Sequence, residues 1–167
     1  MNNLIGLSRF CSTQNIPGFV LLEYIPIASI DQSAYEDLIL NNSTFLTAVP
    51  LLADETWLSV PLLPKPRLWN ENPQTNKQGT SYTQRVGGTV KYMDPAASAE
   101  LERMAEHDFI LRVKDKNGQL WLLGSFDFPF KLVAPGTTGS NSVGNGYKLD
   151  FQAVTPTRAK AYGPLVF

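Results

Sequence analysis

The sequence predicts a mostly β protein of the α+β class, an antiparallel β-sandwich or barrel with one flanking α-helix at about residues 95–107. The chain has 167 residues, of which 43% are hydrophobic, so it can fill the core of a single domain spanning 1–167. Only 17% of the residues are charged, below the roughly 25% that is usual, while Gly and Pro contribute 12 residues each. Short apolar segments between these turn formers are typical of β-strands, and one segment has strong helix signals.

The charge balance and the cysteine content exclude several classes of function. Lys and Arg total 14 against 15 for Asp and Glu, so no positive excess favours binding to nucleic acid phosphates. Cys11 is the one cysteine, which excludes an intrachain disulfide and a zinc site built on several thiolates. No window approaches the roughly 20 apolar residues that span a bilayer, and the start resembles no signal peptide. We therefore expect a protein that stays in the cytoplasm where it is made.

The first half of the chain predicts short strands followed by a long loop. Residues 19–25 are rich in β-formers and predict a core strand, and residues 33–40 are compatible with a brief helical turn. Two further strands are predicted at 45–49 and 57–63, the second at a sheet edge because Pro61 cannot donate to a ladder. The polar, Pro-rich segment 64–80 predicts a long loop of the kind that carries binding residues.

The strand predicted at 81–93 leads into the helix. Gly87-Gly88 interrupts the alternation of this strand and predicts a bulge or bend. Asp94 is suited to cap the following helix and Pro95 to be its first residue, while Leu101 and Met104 belong to one apolar stripe. These signals predict a helix that packs on a sheet.

The segment 110–124 predicts a β-hairpin around Asp115-Lys-Asn-Gly118, for which two registers are possible. A two-residue turn at Asn117-Gly118 would mix charged and apolar side chains on one face. A type I turn with a bulge instead places Trp121 opposite Val113 and collects the large apolar groups on one side. We expect the bulged register, because burying one apolar face is worth several kcal/mol at about 25 cal/mol per Å².

The last third of the chain predicts two strands, a loop and a tail. Alternating Phe and Leu predict a strand at 126–133. Pro129 indicates that this strand lies at a sheet edge, because proline cannot donate a ladder hydrogen bond. The Gly/Ser-rich segment 134–146 predicts a flexible loop, and the regular alternation of 147–154 predicts a half-buried strand. Residues 156–167 are expected as an extended tail that becomes ordered on a neighbour.

No pattern of reactive side chains indicates catalysis, a metal or a cofactor. The Gly-rich loop lacks the Lys-Ser/Thr ending of a phosphate-binding loop and joins two strands. His107 stands at the end of the predicted helix, where a cation is favourable, and Cys11 has no nearby histidine. The acidic residues of the second half have no spacing that supports a two-carboxylate site; they are Asp108, Asp115, Asp127 and Asp150. We therefore predict no catalytic, cofactor or metal residues and no enzymatic activity.

The aromatic residues leave a second class of function open. Trp57, Trp69 and Trp121, together with tyrosines, could line a stacking platform for sugars. Trp121 is better explained by the hairpin core, which leaves Trp69 as the aromatic with a claim to an interface. A carbohydrate-binding or adhesin-like β-sandwich is therefore the alternative to a structural subunit.

A set of turn and core residues over about 79–155 resembles small tail structural proteins of bacteriophages that infect Bacteroidetes. The segments that carry the resemblance, in chain order, are Gly79-Thr-Ser-Tyr-Thr-Gln-Arg-Val86, a helix with Leu101, Ile110 to Asp115 with Asn117-Gly118, Trp121-Leu-Leu-Gly-Ser125, Pro129-Phe-Lys-Leu132, Gly144-Asn-Gly-Tyr147 and Leu149-Asp-Phe151. The resemblance implies a virion protein of the tail tube or of the tail and neck junction, made in the bacterial cytoplasm and assembled as a ring.

The same resemblance implies which partners the chain has. It favours a ring of six copies in contact with other tail or neck proteins and away from membranes. DNA would at most pass through the lumen of the ring, without sequence-specific contacts. Open sheet edges beside Pro61 and Pro129 would accept a strand from a neighbour. The candidate interface residues are Arg67, Leu68, Trp69, Asn72, Gly136, Ser140, Arg158 and Tyr162.

Overall fold

A computed structural model describes residues 17–41, 45–46, 48–77, 79–91, 94–134, 136–137 and 146–163. Most of these residues lie in strands, accompanied by two α-helices, which confirms the predicted α+β, mostly β class. The helices are α1 (Gln32–Asn41) and α2 (Pro95–Ala105). The strands are β1 (Phe19–Pro26), β2 (Phe45–Leu46), β3 (Leu58–Ser59), β4 (Leu62–Asn76), β5 (Gly79–Lys91), β6 (Phe109–Asp115), β7 (Leu120–Leu123), β8 (Lys131–Val133), β9 (Gly136–Thr137), β10 (Gly146–Thr155) and β11 (Lys160–Tyr162).

The strands form two sheets that face each other. The inner sheet has the order β2-β11-β7-β6-β1-β3, and the outer sheet has the order β4-β5-β10-β8, with β9 also paired to β10. Within the described strands the pairing is antiparallel, apart from the parallel pair of β2 and β11. Phe109 and Phe130 exchange backbone hydrogen bonds of 3.0 and 2.9 Å, which join the two sheets along one side.

The inner sheet is covered on both faces. Leu111 and Val113 of β6 pack towards the outer sheet, in a core that also contains Phe151 of β10. Ile110 points the other way and packs against Tyr35 of α1 in a second core. The molecule therefore has three layers, in the order α1, inner sheet and outer sheet, and α2 adds Met104 to the edge of the larger core.

The hairpin of β6 and β7 has the predicted bulged register. Trp121 lies opposite Val113, and Leu123 lies opposite Leu111. Gly118 has a φ of 95°, in the left-handed region where the bulged turn needs glycine. The hairpin therefore follows the burial of its apolar face, as the sequence predicts.

The predicted helix is confirmed as α2, and the brief helical turn expected at 33–40 is a second helix. The α2 helix begins after Asp94, whose carboxylate accepts a hydrogen bond of 2.7 Å from the Ala97 amide, and Pro95 is its first residue. The predicted helical turn at 33–40 is the full helix α1, which contributes Tyr35 to the smaller core.

The expectation of a long loop at 64–80 is wrong, because most of this segment belongs to the ribbon of β4 and β5. The two strands pair from Arg67 with Gly88 to Asn76 with Gly79, so the ladder satisfies backbone groups that a loop would leave to water. Prolines are tolerated in β4 because it is an edge strand, with one side free of a ladder.

The bulge expected at Gly87-Gly88 is also misplaced. The register shift lies in β4, between Leu62 and Arg67, while β5 pairs with β10 without interruption. Gly87 is required by close approach instead, since a Cβ there would lie 2.1 Å from the Leu149 carbonyl oxygen.

Two expectations for the last third are corrected as well. The strand predicted at 126–133 is reduced to β8, because Gly124, with a φ of 86°, begins a turn in which the Ser125 amide donates to the Phe128 carbonyl at 3.2 Å. The described part of the tail, residues 156–163, packs on its own chain through β11, which inserts between β7 and β2. Strand β10 has the predicted alternation, whereas residues 138–145 of the Gly/Ser-rich segment lie outside the described residues.

Candidate assembly surface

The ribbon of β4 and β5 extends beyond the rest of the outer sheet. The pairing of β10 with β5 ends at Thr155 opposite Tyr82, while β4 and β5 continue for three more pairs, up to Asn76 and Gly79. At about 3.4 Å per residue, this extension projects by roughly 10 Å. We call this extension, residues 74–77 and 79–81, the arm. All of them are exposed except Ser81, which is half-buried.

The base of the arm is fixed by the segment that follows β10. The Glu71 carboxylate accepts hydrogen bonds from the Gln84 side chain at 2.8 Å and from the Ala159 amide at 2.7 Å. The Arg158 guanidinium lies 5.2 Å from the ring centre of Tyr82. The direction in which the arm leaves the sheet is therefore set by contacts within the chain.

The outer sheet presents one face that no other layer of the described chain covers; we call it the outer face. One row of neighbouring residues across this face is Leu68, Gly87, Asp150 and Val133. Leu68, Val133 and Val154 are apolar but 43, 50 and 56% exposed, respectively. The outer face therefore combines exposed apolar side chains with polar ones.

An ion pair between Arg85 and Asp150 lies at the centre of the outer face. The Arg85 Nε donates to the Asp150 carboxylate at 3.4 Å, and a second guanidinium nitrogen forms the ion pair. The Gln152 side chain donates to the same carboxylate at 2.9 Å. The hydrogen bond that the guanidinium donates to Asp150 raises the pKa of Arg85 above its usual value. These interactions hold the side chains of the pair in place.

Three of the candidate interface residues contribute to this surface, and one contributes to its base. Leu68 and Asn72 lie on the outer face, where Asn72 pairs with Thr83. Gly136 pairs with Tyr147 at the end of the outer sheet. Arg158 is exposed and stacks on Tyr82 at the base of the arm. Ser140 lies outside the described residues.

Arg67 and Trp69 instead face the interior of their own chain. The Arg67 guanidinium donates to the carbonyls of Leu62, Phe19 and Val20 at 3.0, 3.1 and 2.6 Å. The Trp69 ring packs at 5.9 Å against Trp121, and its indole nitrogen is buried without an acceptor among the described residues. These two side chains tie β4 to the rest of the molecule.

The expectation of Tyr162 as an interface residue is corrected by its burial. Its side chain is 8% exposed, in the core between the inner sheet and α1. The hydroxyl accepts a hydrogen bond of 3.2 Å from the Val49 amide. Tyr162 is buried because β11 completes the inner sheet, which the sequence of the tail did not indicate.

The reactive residues considered from the sequence have structural surroundings. Asp108 forms an ion pair of 2.8 Å with Lys131, and Asp115 accepts hydrogen bonds within the hairpin turn. His107 is exposed after the end of α2, and Cys11 lies outside the described residues. Over the described ranges, no group of three or more His, Cys, Asp or Glu side chains is arranged to hold a metal ion. Neither described helix has the length and apolarity needed to cross a bilayer.

Val133 and Val154 are the surface residues that the sequence analysis missed. Val154 ends the series Lys148, Asp150, Gln152 and Val154, whose other members are polar. An apolar residue at the polar positions of an alternating strand is a signal that could have been used.

Comparison with known proteins gave no relationship for this chain. No protein-family model matches it, and no curated protein or solved structure matches it significantly.

Proposed function

We propose that this protein is a non-enzymatic structural subunit that assembles with copies of itself into a ring, as a component of a bacteriophage tail or neck. The observation that carries the proposal is the arm, a two-stranded ribbon without a core of its own. The resemblance of residues 79–155 to phage tail proteins supplies the virion context.

The arm supports assembly because an isolated two-stranded ribbon is only marginally stable in water. Its side chains are polar, and all of them are exposed except that of Ser81. A hydroxyl contact of 3.2 Å between Thr75 and Thr80 is a cross-strand interaction within the arm. A neighbouring subunit that packs on the arm would remove its backbone from water on at least one side. The proposal assigns this contact to a second copy of the chain.

The outer face offers a second contact area. Leu68, Val133 and Val154 lie around the Arg85–Asp150 pair, and burying them against a neighbour would be favourable by about 25 cal/mol per Å² of apolar surface. The arm and the outer face are different surfaces of one molecule. Contacts between unlike surfaces are head-to-tail, and they close into rings when the rotation between subunits permits.

The carbohydrate-binding alternative requires an exposed aromatic ring, for which Trp69 was the main candidate. Trp69 packs on Trp121 with its indole nitrogen buried, so its ring is not presented as a flat platform. We therefore propose the structural function alone.

Measurement of mass by analytical ultracentrifugation tests self-assembly. We expect the wild type to form oligomers at high concentration and the double variant Val133→Lys, Val154→Lys to remain monomeric, because the new charges oppose burial of the outer face. The matched control is Leu52→Lys, which changes a side chain of similar exposure, 46%, away from both sheets. A wild type that stays monomeric at high concentration would contradict the proposal.

The virion context has a separate test. We expect mass spectrometry of purified phage particles whose genome encodes this chain to find it among the structural proteins. Its absence from intact particles would overturn the tail or neck assignment while leaving self-assembly to the mass measurement.

A further inference from the structure

A cavity of about 380 Å³ lies on the side of the molecule away from the outer face. It is open to solvent on one side and is bordered by α1, by the turn that follows β7 and by the segment between β10 and β11. This volume falls at the lower end of the range of sites for small molecules, about 300–1,000 Å³. The proposed function does not use the cavity, although Arg158 in the lining of the cavity also contacts Tyr82 at the base of the arm.

Two cationic side chains, Arg158 and Lys160, line one part of the cavity. Lys160 makes no ion pair within the described part of the chain. Burial lowers the pKa of its ammonium group, and no carboxylate offsets this effect. A partly buried cation without a counter-ion favours the arrival of an anion.

Tyr35 supplies a second polar group whose partner is missing. This residue lines the cavity and is 2% exposed, and its hydroxyl has no hydrogen-bond partner among the described residues. A buried hydroxyl without a partner is costly, and a ligand oxygen would provide the missing acceptor.

The remaining lining gives the cavity its selectivity. Leu122 and Phe126 provide apolar walls, and the Phe126 ring meets the Tyr35 ring at 5.2 Å. The carboxylates of Glu36 and Asp127 belong to exposed residues of the same lining. Like charges repel, so these two residues disfavour a dianion such as phosphate more strongly than a monoanion.

We propose that this cavity binds a small organic carboxylate, with the anionic group at Arg158 and Lys160 and the apolar body against Leu122 and Phe126. The Tyr35 hydroxyl donates a hydrogen bond to the bound carboxylate. No bond is made or broken in the ligand, so the site is one of binding only.

Benzoate is a suitable probe because it joins one carboxylate to one ring, and benzamide is its neutral counterpart. Titration of ¹⁵N-labelled protein followed by NMR should give a benzoate Kd on the order of 10 mM or tighter, as expected for a ligand of this size. The shifted amides should belong to α1, the turn at 124–128 and the segment 155–160. We expect benzamide to bind at least fivefold more weakly to the same wild-type protein.

Variants then test the assigned residues. Lys160→Met should weaken benzoate binding about tenfold, since it removes a charge-assisted hydrogen bond, and Tyr35→Phe about threefold. The control Lys148→Met changes an exposed lysine on the outer face and should leave the Kd unchanged. Equal binding of benzoate and benzamide, no shifts around the cavity, or an unchanged Kd for Lys160→Met would each overturn the proposal.

Discussion

The two sheets of this protein differ in how much of their surface the chain itself covers. Strand β6 of the inner sheet is buried on both faces, with Ile110 on one side and Leu111 on the other. Strand β10 of the outer sheet buries Leu149 and Phe151 on one face and exposes Lys148 and Val154 on the other. The inner sheet is therefore buried on both faces, whereas the outer sheet has one exposed face, where we expect the chain to meet its neighbours.

The largest expected effect is on the stability of the inner sheet. Ile110→Ala removes a fully buried side chain from the smaller core and should lower the free energy of unfolding by about 3–4 kcal/mol. Val154→Ala, a matched truncation on the outer face, should change it by less than about 0.5 kcal/mol. Denaturant unfolding of the monomer measures both free energies. Similar losses for the two variants would contradict the difference in burial between the inner sheet and the outer face.

An ion pair of the inner sheet should have the next largest effect. The Arg112 Nε donates to Glu23 at 2.6 Å, and the guanidinium lies 4.6 Å from the ring centre of Trp57. Both side chains of the pair are mostly buried, at 19 and 12% exposure, so Glu23→Gln leaves a poorly compensated charge. We expect a loss of about 3 kcal/mol in the free energy of unfolding.

The control for this pair is Glu100→Gln in α2. Glu100 pairs with Arg103 on the surface, where solvent screens the interaction, so the loss should stay below about 0.5 kcal/mol. Equal losses of unfolding free energy for Glu23→Gln and Glu100→Gln would mean that the Arg112–Glu23 pair does not stabilise the inner sheet.

A smaller effect is expected from Tyr35 at high pH. Burial raises the pKa of this tyrosine from 10.0 to about 12, so the unfolded chain loses its proton at a lower pH than the folded one. The contribution to stability is complete below pH 10 and is lost as the pH rises towards 12. Between pH 9 and pH 11 the wild type should lose about 1 kcal/mol more than Tyr35→Phe does. Parallel pH profiles for the two proteins would show that Tyr35 is not protected from ionisation.

The smallest effect on monomer stability is expected from the arm. Replacing residues 74–81 by Asn-Gly should change the free energy of unfolding by less than about 0.5 kcal/mol, because none of the removed residues that the structure describes belongs to either core. The same variant should lose self-association in sedimentation. A large loss of stability would mean that the arm stabilises the fold of its own chain, which would contradict its assignment to a contact with a neighbour.

The sequence predicted those elements whose side chains alternate between core and solvent or whose ends have strong local signals. The hairpin register followed from collecting Trp121 and Val113 on one face, and α2 followed from Asp94 and Pro95. The strand β10 followed from strict alternation. In each case the local signal and the tertiary burial agree.

The sequence was misleading where strand pairing determines the structure and no local pattern of side chains indicates it. Most of the segment 64–80 is polar on both faces and contains prolines, so it has no alternation, yet β5 gives its backbone a ladder. Strand β11 has only three residues and becomes a strand because β7 and β2 leave a position between them. This insertion also buries Tyr162, which explains why one interface candidate is a core residue.

Hydrogen exchange at two protein concentrations tests most directly whether the outer sheet is completed by other copies. We predict that amides of the arm exchange rapidly in dilute protein and become protected when the protein self-associates, while amides of β6 remain protected at both concentrations. Arm amides that are equally protected at both concentrations, in a protein whose mass remains that of a monomer, would contradict this prediction.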